Sequence, residues 1–251
     1  MRTFPVLGVR VNAVQIPDVV QTLRRWIEER KAARFVAVTG MHGVMEARQS
    51  AEFRQVLADA DLVVPDGMPL VWMGRFHGIK RMRRRVYGPE LMETFLRETG
   101  SAYRHFFYGG AEGVAGQLAR VLQAKFGIQV AGTWCPPFRP LTPAEEAEVA
   151  ARIEDSRPDI IWVGLSTPKQ ERWMHAHRNV QVPVMIGVGA AFDFHTGRAA
   201  QAPVWMREHG LEWLFRLLSE PRRLWRRYIV LGGKFSWNIT LQILRLRDFS
   251  S

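Results

Sequence analysis

The sequence is poor in cysteine and contains no long apolar run. Cys135 is the only cysteine in 251 residues, which excludes an intramolecular disulfide framework and suits a reducing compartment. No stretch approaches the roughly 18 consecutive apolar residues of a membrane-spanning helix. The N-terminal segment MRTFPVLGVRVNAV also lacks the apolar core of a signal peptide. We therefore expect a cytoplasmic protein.

Acidic residues are in deficit as well. The chain has 24 Asp and Glu against 35 Lys and Arg, a formal net charge of +11. Such a charge predicts an anionic partner, which can be a nucleic acid, a phosphorylated substrate or an acidic membrane surface. Charge alone does not distinguish these. The hydrophobic content of 47% is enough for a substantial core.

Short apolar runs alternate with amphipathic stretches over about the first two hundred residues. The runs RFVAVTG, DLVVPDG, RHFFYGG, GIQVAGTW, DIIWVGLS and VPVMIGVG predict buried strands. The apolar residues Val20, Leu23 and Ile27 follow the spacing of a helix face. This alternation predicts an α/β fold with a Rossmann-like, mostly parallel sheet and helices on both faces. We assign it to residues 1–204.

From about Trp205 the composition changes. Residues 205–251 contain nine Lys and Arg against four acids, and four of the nine tryptophans. They contain no convincing buried strand. We predict a basic, Trp- and Leu-rich helical appendage, with one helix starting near Pro221 and capped by Ser219 or Glu220.

Two glycines, Gly109 and Gly110, follow the run RHFFY and precede a predicted helix. Free backbone N–H groups at such a turn suit a phosphate, although many similar loops are only tight turns. The segment is not the Gly-x-Gly-x-x-Gly fingerprint. It also lacks an acidic residue for a ribose, because no Asp or Glu lies between Glu112 and Glu145. NAD binding is disfavoured, whereas a mononucleotide or nucleotide-sugar is not.

Polar residues follow three more of the predicted strands. Asp66 and Gly67 end the run DLVVP, either as a plain turn or as a carboxylate at the mouth of a cleft. Lys169 and Gln170 open the helix after DIIWVG, as ligand-binding residues or as an ordinary helix start. Asp193 follows VPVMIGVG and can accept a hydrogen bond from a ribose or base.

We expect neither a metal nor a cofactor. Asp59 and Asp61 spell an Asp-x-Asp pattern, but they precede a strand at the end opposite the expected cleft. His175 and His177 are two residues apart on a predicted helix and so do not face one another. The basic run Lys80–Arg85 has no interleaved aromatic residues, so base stacking is not indicated.

Taken in order, several motifs resemble those of the bacterial WecG/TagA/CpsF glycosyltransferases, glycosyltransferase family 26, over roughly residues 5–230. The motifs are VTGMHGVMEAR, ADLVVPDGMPLVW, RRVYGPEL, FYGG, PDIIWVGLSTPKQERW, GVGAAFDFHTG and GLEWLFRLLSEPRRLWRRY. The resemblance implies an inverting, metal-independent transfer from UDP to a polyprenyl-diphosphate-linked sugar in surface polysaccharide synthesis. The implied donor sugar is N-acetylmannosamine, N-acetylmannosaminuronic acid or a similar hexose.

The resemblance also implies roles for individual residues. Asp66 corresponds to the general base, and Thr39 and Arg85 to further catalytic positions. An appendage that touches the inner face of the plasma membrane and helps close the site is implied as well. The other implied positions lie near the nucleotide or in that appendage: Gln170, Asp193, Arg216, Arg223 and Arg226.

Three positions depart from the family pattern and leave the donor sugar and acceptor open. Met41 stands where many members have Asn, Glu90 where Asp is usual, and Gln201 where Arg is usual. The contact with the acceptor that an Asn at position 41 would make is then lost or is supplied by His42. We expect no nucleic-acid partner, and the oligomeric state, a homo-oligomer included, stays open. The alternative function is a non-enzymatic nucleic-acid or membrane-surface binder, based on charge alone.

Overall fold

The computed structural model, which describes residues 1–31 and 33–249, contains eight β-strands over those residues. They are β1 (Thr3–Val6), β2 (Val9–Asn12), β3 (Arg34–Thr39), β4 (Leu62–Pro65), β5 (Arg104–Gly109), β6 (Gln129–Trp134), β7 (Ile160–Gly164) and β8 (Val184–Gly187). The first two form an antiparallel hairpin. The other six form a parallel sheet in the order β4-β3-β8-β7-β5-β6.

Helices connect the strands and cover both faces of the sheet. They are α1 (Ile16–Glu29), α2 (Met41–Gln49), α3 (Ala51–Ala58), α4 (Met68–Phe76), α5 (Gly88–Thr99), α6 (Val114–Phe126), α7 (Pro143–Ser156), α8 (Lys169–Ala176), α9 (Ala191–His195), α10 (Val204–Glu208), α11 (Glu212–Ser219), α12 (Pro221–Trp225) and α13 (Gly232–Ile243). The predicted Rossmann-like α/β class is confirmed. Each of the six apolar runs forms a strand of the parallel sheet.

The alternation of side chains along each strand divides the core between the two faces. In β3, Val36 and Val38 pack with α1, α5 and α6. Phe35 points to the opposite face, where it packs with residues of α7 and α8. Ala37 lies on that same opposite face but packs with α2, α3, α4 and the β1–β2 hairpin. The sheet is therefore buried on both sides, as its nearly continuous apolar strands require.

The C-terminal helices share this core. Phe235 of α13 and Phe249 are buried in the cluster that contains the β1–β2 hairpin. Gln242 ties α13 to the hairpin, since its Oε1 accepts the Leu7 N–H at 2.8 Å and its Nε2 donates to the Pro5 carbonyl at 3.1 Å. These contacts hold the last helix across the cleft at the end of the sheet.

One feature of the C-terminal helices is a π-helical turn. Residues Pro221–Ile243 form one continuous helix, because the junction residues Arg226 and Gly232 keep right-handed helical backbone angles. Within it, Arg226–Leu231 is π-helical. Such turns carry one extra residue and are frequent at functional sites. Pro221 is the first residue of this helix, as predicted, but Glu220 precedes it without a side-chain cap.

Candidate active site

A cavity of about 800 Å³ lies beyond the carboxyl ends of β3, β4, β7 and β8. We call it the large cavity; α11, the π-helical turn and α13 close its other side. A second cavity of about 480 Å³, the arginine cavity, adjoins it. The two lie where the strand order reverses, which is where open α/β sheets bind ligands. They share six lining residues: His42, Ser166, Ala190, Phe194, Arg216 and Arg227.

Asp66 is the first residue beyond β4 and lines the large cavity. The register of the sheet pairs Thr39 with Pro65, and the Asp66 N–H then donates to the Thr39 carbonyl at 2.8 Å. Gly40 has no side chain because a Cβ there would overlap the Asp66 carbonyl oxygen. Gly67 adopts φ +111°, which favours glycine, and starts α4. The carboxylate is thus rigidly placed and open to the cleft.

The environment of Asp66 raises its affinity for a proton. Its side chain is 32% exposed. Burial raises the pKa of Asp66 from 3.8 to about 6, against the opposing effect of the nearby Arg85 guanidinium. A carboxylate with such a pKa is ionised at neutral pH and is a better proton acceptor than an ordinary aspartate. The site can therefore perform general-base chemistry.

Arg85 links Asp66 to the C-terminal helices. Its Nη1 lies 3.6 Å from Asp66 Oδ1, and its Nη2 forms an ion pair with Glu212 Oε2 at the start of α11. The guanidinium lies 4.1 Å from the centre of the Tyr87 ring, and the Tyr87 hydroxyl donates to Glu212 Oε1 at 3.0 Å. Gln201 Nε2 in turn donates to the Tyr87 hydroxyl at 3.3 Å. Gln201, which stands where the family usually has Arg, thus joins this network.

Arginines outnumber acids four to three on the lining of the arginine cavity, where the acids are Glu46, Asp193 and Glu220. The arginines come from α11, α12 and the π-helical turn. Among the described residues, no carboxylate lies within 4.0 Å of Arg216, Arg226 or Arg227, whereas Arg223 pairs with Glu220 at 2.7 Å. Burial lowers the pKa of Arg227, with a further contribution from Arg216. Clustered, unpaired guanidinium groups favour a ligand with several negative charges, such as a diphosphate.

Gln170 lines the large cavity but is committed to protein contacts. Its Oε1 accepts the Gly189 N–H at 3.1 Å, and its Nε2 donates to Glu171 Oε1 at 3.0 Å. Thr167 also donates to Glu171 Oε1, at 2.8 Å. Burial raises the pKa of Glu171, which is fully buried. These contacts fix the loops after β7 and β8. Gln170 therefore holds these loops in place and also lines the large cavity.

His42 lies at the junction of the two cavities. Its Nε2 is 3.4 Å from Glu46 Oε1, and its buried Nδ1 has no hydrogen-bond partner. Burial, with help from Arg227, lowers the pKa of His42 to about 4. The imidazole is therefore neutral at neutral pH. Met41, the neighbouring departure from the family pattern, also lines the large cavity.

The structure brings together most but not all of the residues predicted for the site. Asp66, Arg85, Gln170 and Arg216 line the large cavity. The arginine cavity is lined by Asp193, Arg216, Arg223 and Arg226.

Four predicted residues do not line either cavity. Gly109 and Gly110 lie at the end of β5, where the Gly110 N–H donates to the Gly164 carbonyl at 3.0 Å, so they form a packed turn. Lys169 is exposed at the start of α8. The Thr39 side chain is fully buried, and its hydroxyl has no hydrogen-bond partner. In this structure Thr39 acts on the site through its carbonyl, which holds Asp66.

Two residues of the site were not predicted from the sequence. Glu212 is 6% exposed and pairs with Arg85. Arg227 lines both cavities. Both lie in a segment whose charge predicted an anionic or membrane partner. A carboxylate in a basic, apolar helix was the available signal for Glu212, whereas the π-helical turn that orients Arg227 has no comparable sequence signal.

No group of three or more His, Cys, Asp or Glu side chains in the described part of the chain is arranged to hold a metal ion. Over the same residues, no helix is both long and apolar enough to span a bilayer.

The fold and the two cavities define an α/β protein with a ligand site beyond the carboxyl ends of its parallel strands. The sequence model of the glycosyl transferase WecG/TagA/CpsF family matches residues 4–249 of this chain, and the chain belongs to this family. The resemblance stated from the sequence motifs is thereby confirmed, and so is the enzyme class.

Two curated relatives carry the same name. The chain is 29% identical over 232 residues to the N-acetylglucosaminyldiphosphoundecaprenol N-acetyl-beta-D-mannosaminyltransferase of Bacillus spizizenii, covering 91% of this chain and 88% of that protein. It is 25% identical over 232 residues to the protein of the same name from Bacillus subtilis strain 168, with the same coverage.

Asp66 is expected to reduce the stability of the protein at neutral pH. Its folded-state pKa of about 6 exceeds the ordinary 3.8, so its favourable contribution is complete below about pH 4 and is lost as the pH rises through 6. Asp66→Asn should raise the free energy of unfolding at pH 8 by about 1 kcal/mol, allowing for partial exposure. The difference should vanish below pH 4. Urea unfolding at both pH values measures it.

The matched control for this measurement is Asp155→Asn, on the exposed face of α7, which should leave the unfolding curve unchanged. An Asp66→Asn protein that is less stable than the wild type at pH 8 would contradict the assignment of a raised pKa to Asp66.

Proposed function

We propose that this glycosyltransferase transfers a hexose from a UDP-sugar to a hydroxyl of a polyprenyl-diphosphate-linked sugar, with inversion and without a metal. N-acetylmannosamine or N-acetylmannosaminuronic acid is the proposed sugar, by analogy with the names of the two Bacillus relatives. The observation that carries the proposal is a carboxylate, Asp66, that lines the large cavity at the end of β4 with its proton affinity raised. It is supported by the adjoining arginine cavity.

The proposed chemistry is one displacement. Asp66 takes the proton of the acceptor hydroxyl while the oxygen of that hydroxyl bonds to the anomeric carbon of the donor sugar. The bond from that carbon to the UDP oxygen breaks, and its electron pair leaves with the diphosphate. A single attack from the face opposite UDP inverts the configuration. General-base assistance of this kind contributes on the order of 10²–10⁴ in rate.

The proposed donor site is the arginine cavity. The leaving diphosphate gains negative charge, which fixed cations stabilise without reorganisation. Arg216, Arg223, Arg226 and Arg227 provide four guanidinium groups there, and arginine keeps its charge at any working pH. This supply of positive charge supports the proposed metal independence. Asp193, on the same cavity, is a proposed contact for the uridine.

The proposed acceptor site is the large cavity. Its lining turns apolar away from Asp66, where α4 and α13 contribute Trp72, Phe76, Phe235, Ile239 and Ile243. Trp72 and Phe76 are more than half exposed. An apolar passage that opens to the surface suits the first isoprenoid units of a lipid-linked acceptor, while its sugar lies at the carboxylate. Met41, in place of the family Asn, is a proposed determinant of acceptor choice.

Peripheral binding to the inner face of the plasma membrane is proposed for the C-terminal helices. They expose Trp205, Trp225, Trp237, Leu218 and Leu244 among their many arginines. Trp and Leu side chains enter the headgroup region, and each basic residue near an anionic surface adds about 1 kcal/mol of attraction. This explanation of the +11 charge needs no nucleic acid.

Replacement of the proposed base should separate chemistry from binding. Asp66→Asn should lower kcat for transfer from a UDP-sugar to a polyprenyl-diphosphate-linked acceptor by about 10²–10⁴, because the amide takes no proton. UDP affinity, measured by calorimetry, should persist, because the donor site is separate. Asp155→Asn should transfer at the wild-type rate. Undiminished transfer by Asp66→Asn would overturn the base assignment.

The arginine cavity can be tested by ligand binding alone. Arg226→Ala should weaken UDP binding by about tenfold or more, because charge-assisted contacts to a diphosphate are among the stronger polar interactions. Uridine, which has no phosphate, should bind the variant and the wild type equally. The control is Arg97→Ala, which removes an exposed α5 arginine paired with Glu93. Equal UDP affinity for Arg226→Ala and wild type would place the diphosphate elsewhere.

The membrane proposal can be tested with vesicles that contain phosphatidylglycerol. The double variant Trp205→Ser and Trp237→Ser should bind them about tenfold more weakly, because two exposed indoles no longer enter the interface. Its UDP affinity should not change, since neither side chain lines a cavity. Phe138→Ser, which removes an exposed ring far along the chain, is the control. Vesicle binding equal to that of the wild type would refute the proposal.

A further inference from the structure

Glu212 is a buried carboxylate that the C-terminal helices bring to the catalytic carboxylate. It is the first residue of α11 and is only 6% exposed. Both of its oxygens are engaged, one by the Arg85 guanidinium and the other by the Tyr87 hydroxyl at 3.0 Å. A buried, fully partnered carboxylate has a defined position, so it constrains the groups that it contacts.

The Arg85 guanidinium is divided between two carboxylates. Its Nη2 is bonded to Glu212, and its Nη1 lies 3.6 Å from Asp66, beyond hydrogen-bond length. The guanidinium stacks over the Tyr87 ring at 4.1 Å and its side chain is 14% exposed. A planar fork held in this way cannot turn to form a bidentate pair with Asp66. Within the part of the chain that the structure describes, Asp66 Oδ1 accordingly has no hydrogen-bond donor.

The other charges that act on Asp66 are cations. Arg216 of α11 and Arg227 of the π-helical turn both favour its ionised form, as Arg85 does. Glu212 opposes them. Of the remaining titratable groups in the network, Tyr87 is neutral because burial raises its pKa, and His42 on α2 is neutral as described above. Glu212 is thus the anion that offsets the arginines around the base.

We propose that Glu212 is a positioning residue. By binding Arg85 it prevents that guanidinium from forming a bidentate pair with Asp66, so Asp66 stays available to accept the proton of the acceptor when α11 is packed in place. The proposal rests on the proposed function of Asp66 as the base. Glu212 itself takes no proton and touches no reacting atom. A carboxylate in a bidentate pair with arginine is a weaker base, and a helix that delivers Glu212 prevents that pairing.

The test replaces only the charge of Glu212. In Glu212→Gln, the direct effect of the Glu212 charge is lost and Arg85 also becomes free to pair with Asp66, so the Asp66 pKa should fall by about one unit or more. The fall should be smaller in an Arg85→Lys background, because lysine cannot form the bidentate pair. An equal fall in both backgrounds would overturn the positioning role.

Carbon-13 NMR of the Asp66 side-chain carboxyl, assigned with Asp66→Asn, measures the Asp66 pKa in the ligand-free protein. In the pH profile of kcat/KM for transfer, the acid limb should move to lower pH by the same amount, and the plateau value of kcat/KM should fall.

Two further variants are the controls. Glu212→Asp keeps the charge, so its acid limb should stay at the wild-type pH even if its rate is lower. Glu208→Gln removes an exposed α10 carboxylate paired with Arg84 and should change neither the limb nor the plateau. Thermal unfolding and UDP binding verify that each variant is folded.

The outcomes separate the two proposals. An Asp66 pKa that is the same in Glu212→Gln and wild type would overturn the role of Glu212, whatever the rate. A lowered Asp66 pKa, with a transfer profile that has no acid limb, would support the positioning by Glu212 and overturn Asp66 as the base. A loss of rate with an unmoved acid limb would mean that Glu212 only supports the fold.

Discussion

The hydrogen bond from the Asp66 N–H to the Thr39 carbonyl is the contact on which the site depends. It extends the β3–β4 ladder by one residue past the last paired strand positions. A carboxylate attached to a sheet in this way cannot retreat from the cleft, although burial opposes its ionisation. Gly40 and Gly67 make the arrangement sterically feasible, one by close approach and the other by its backbone angle. The energetic cost of this carboxylate at neutral pH is met by the packed sheet behind it, as is common at functional sites.

The other half of the site comes from a distant part of the chain. The α11 to α13 segment adds the arginines, Glu212 and the apolar side of the large cavity. It is fixed to the molecule by Phe235 and Phe249 in the core and by the Gln242 contacts with β1. The α11 to α13 segment therefore contributes to the proposed donor site, to the proposed acceptor site and to the proposed membrane surface. Arg85 links this segment to Asp66, since it pairs with Glu212 of α11 and its Nη1 lies 3.6 Å from Asp66 Oδ1.

The sequence was sufficient to predict the sheet, because parallel strands buried on both faces are nearly continuous apolar runs with polar ends. It did not predict the β1–β2 hairpin, whose four-residue strands are too short for a pattern. For the site, strand-end polarity predicted Asp66, which lines the large cavity, and equally Gly109 and Gly110, which line neither cavity. Only the strand order, with β5 outside β7, separates those glycines from the cavities. Glu212 could not be predicted because its significance comes from contact with Arg85, more than a hundred residues away.

The π-helical turn between α12 and α13 has a geometric consequence. It contains one residue more than an α-helical turn, so the residues after it are rotated by about 100° relative to an uninterrupted α-helix. Arg223 and Arg226 line the arginine cavity before and at the start of this turn, whereas Phe235 and Ile239 line the large cavity after it. Phe235 is buried, while its neighbour Lys234 is exposed. One helix thus changes from a cationic lining to an apolar one without a bend, and the change falls at the boundary between the two cavities.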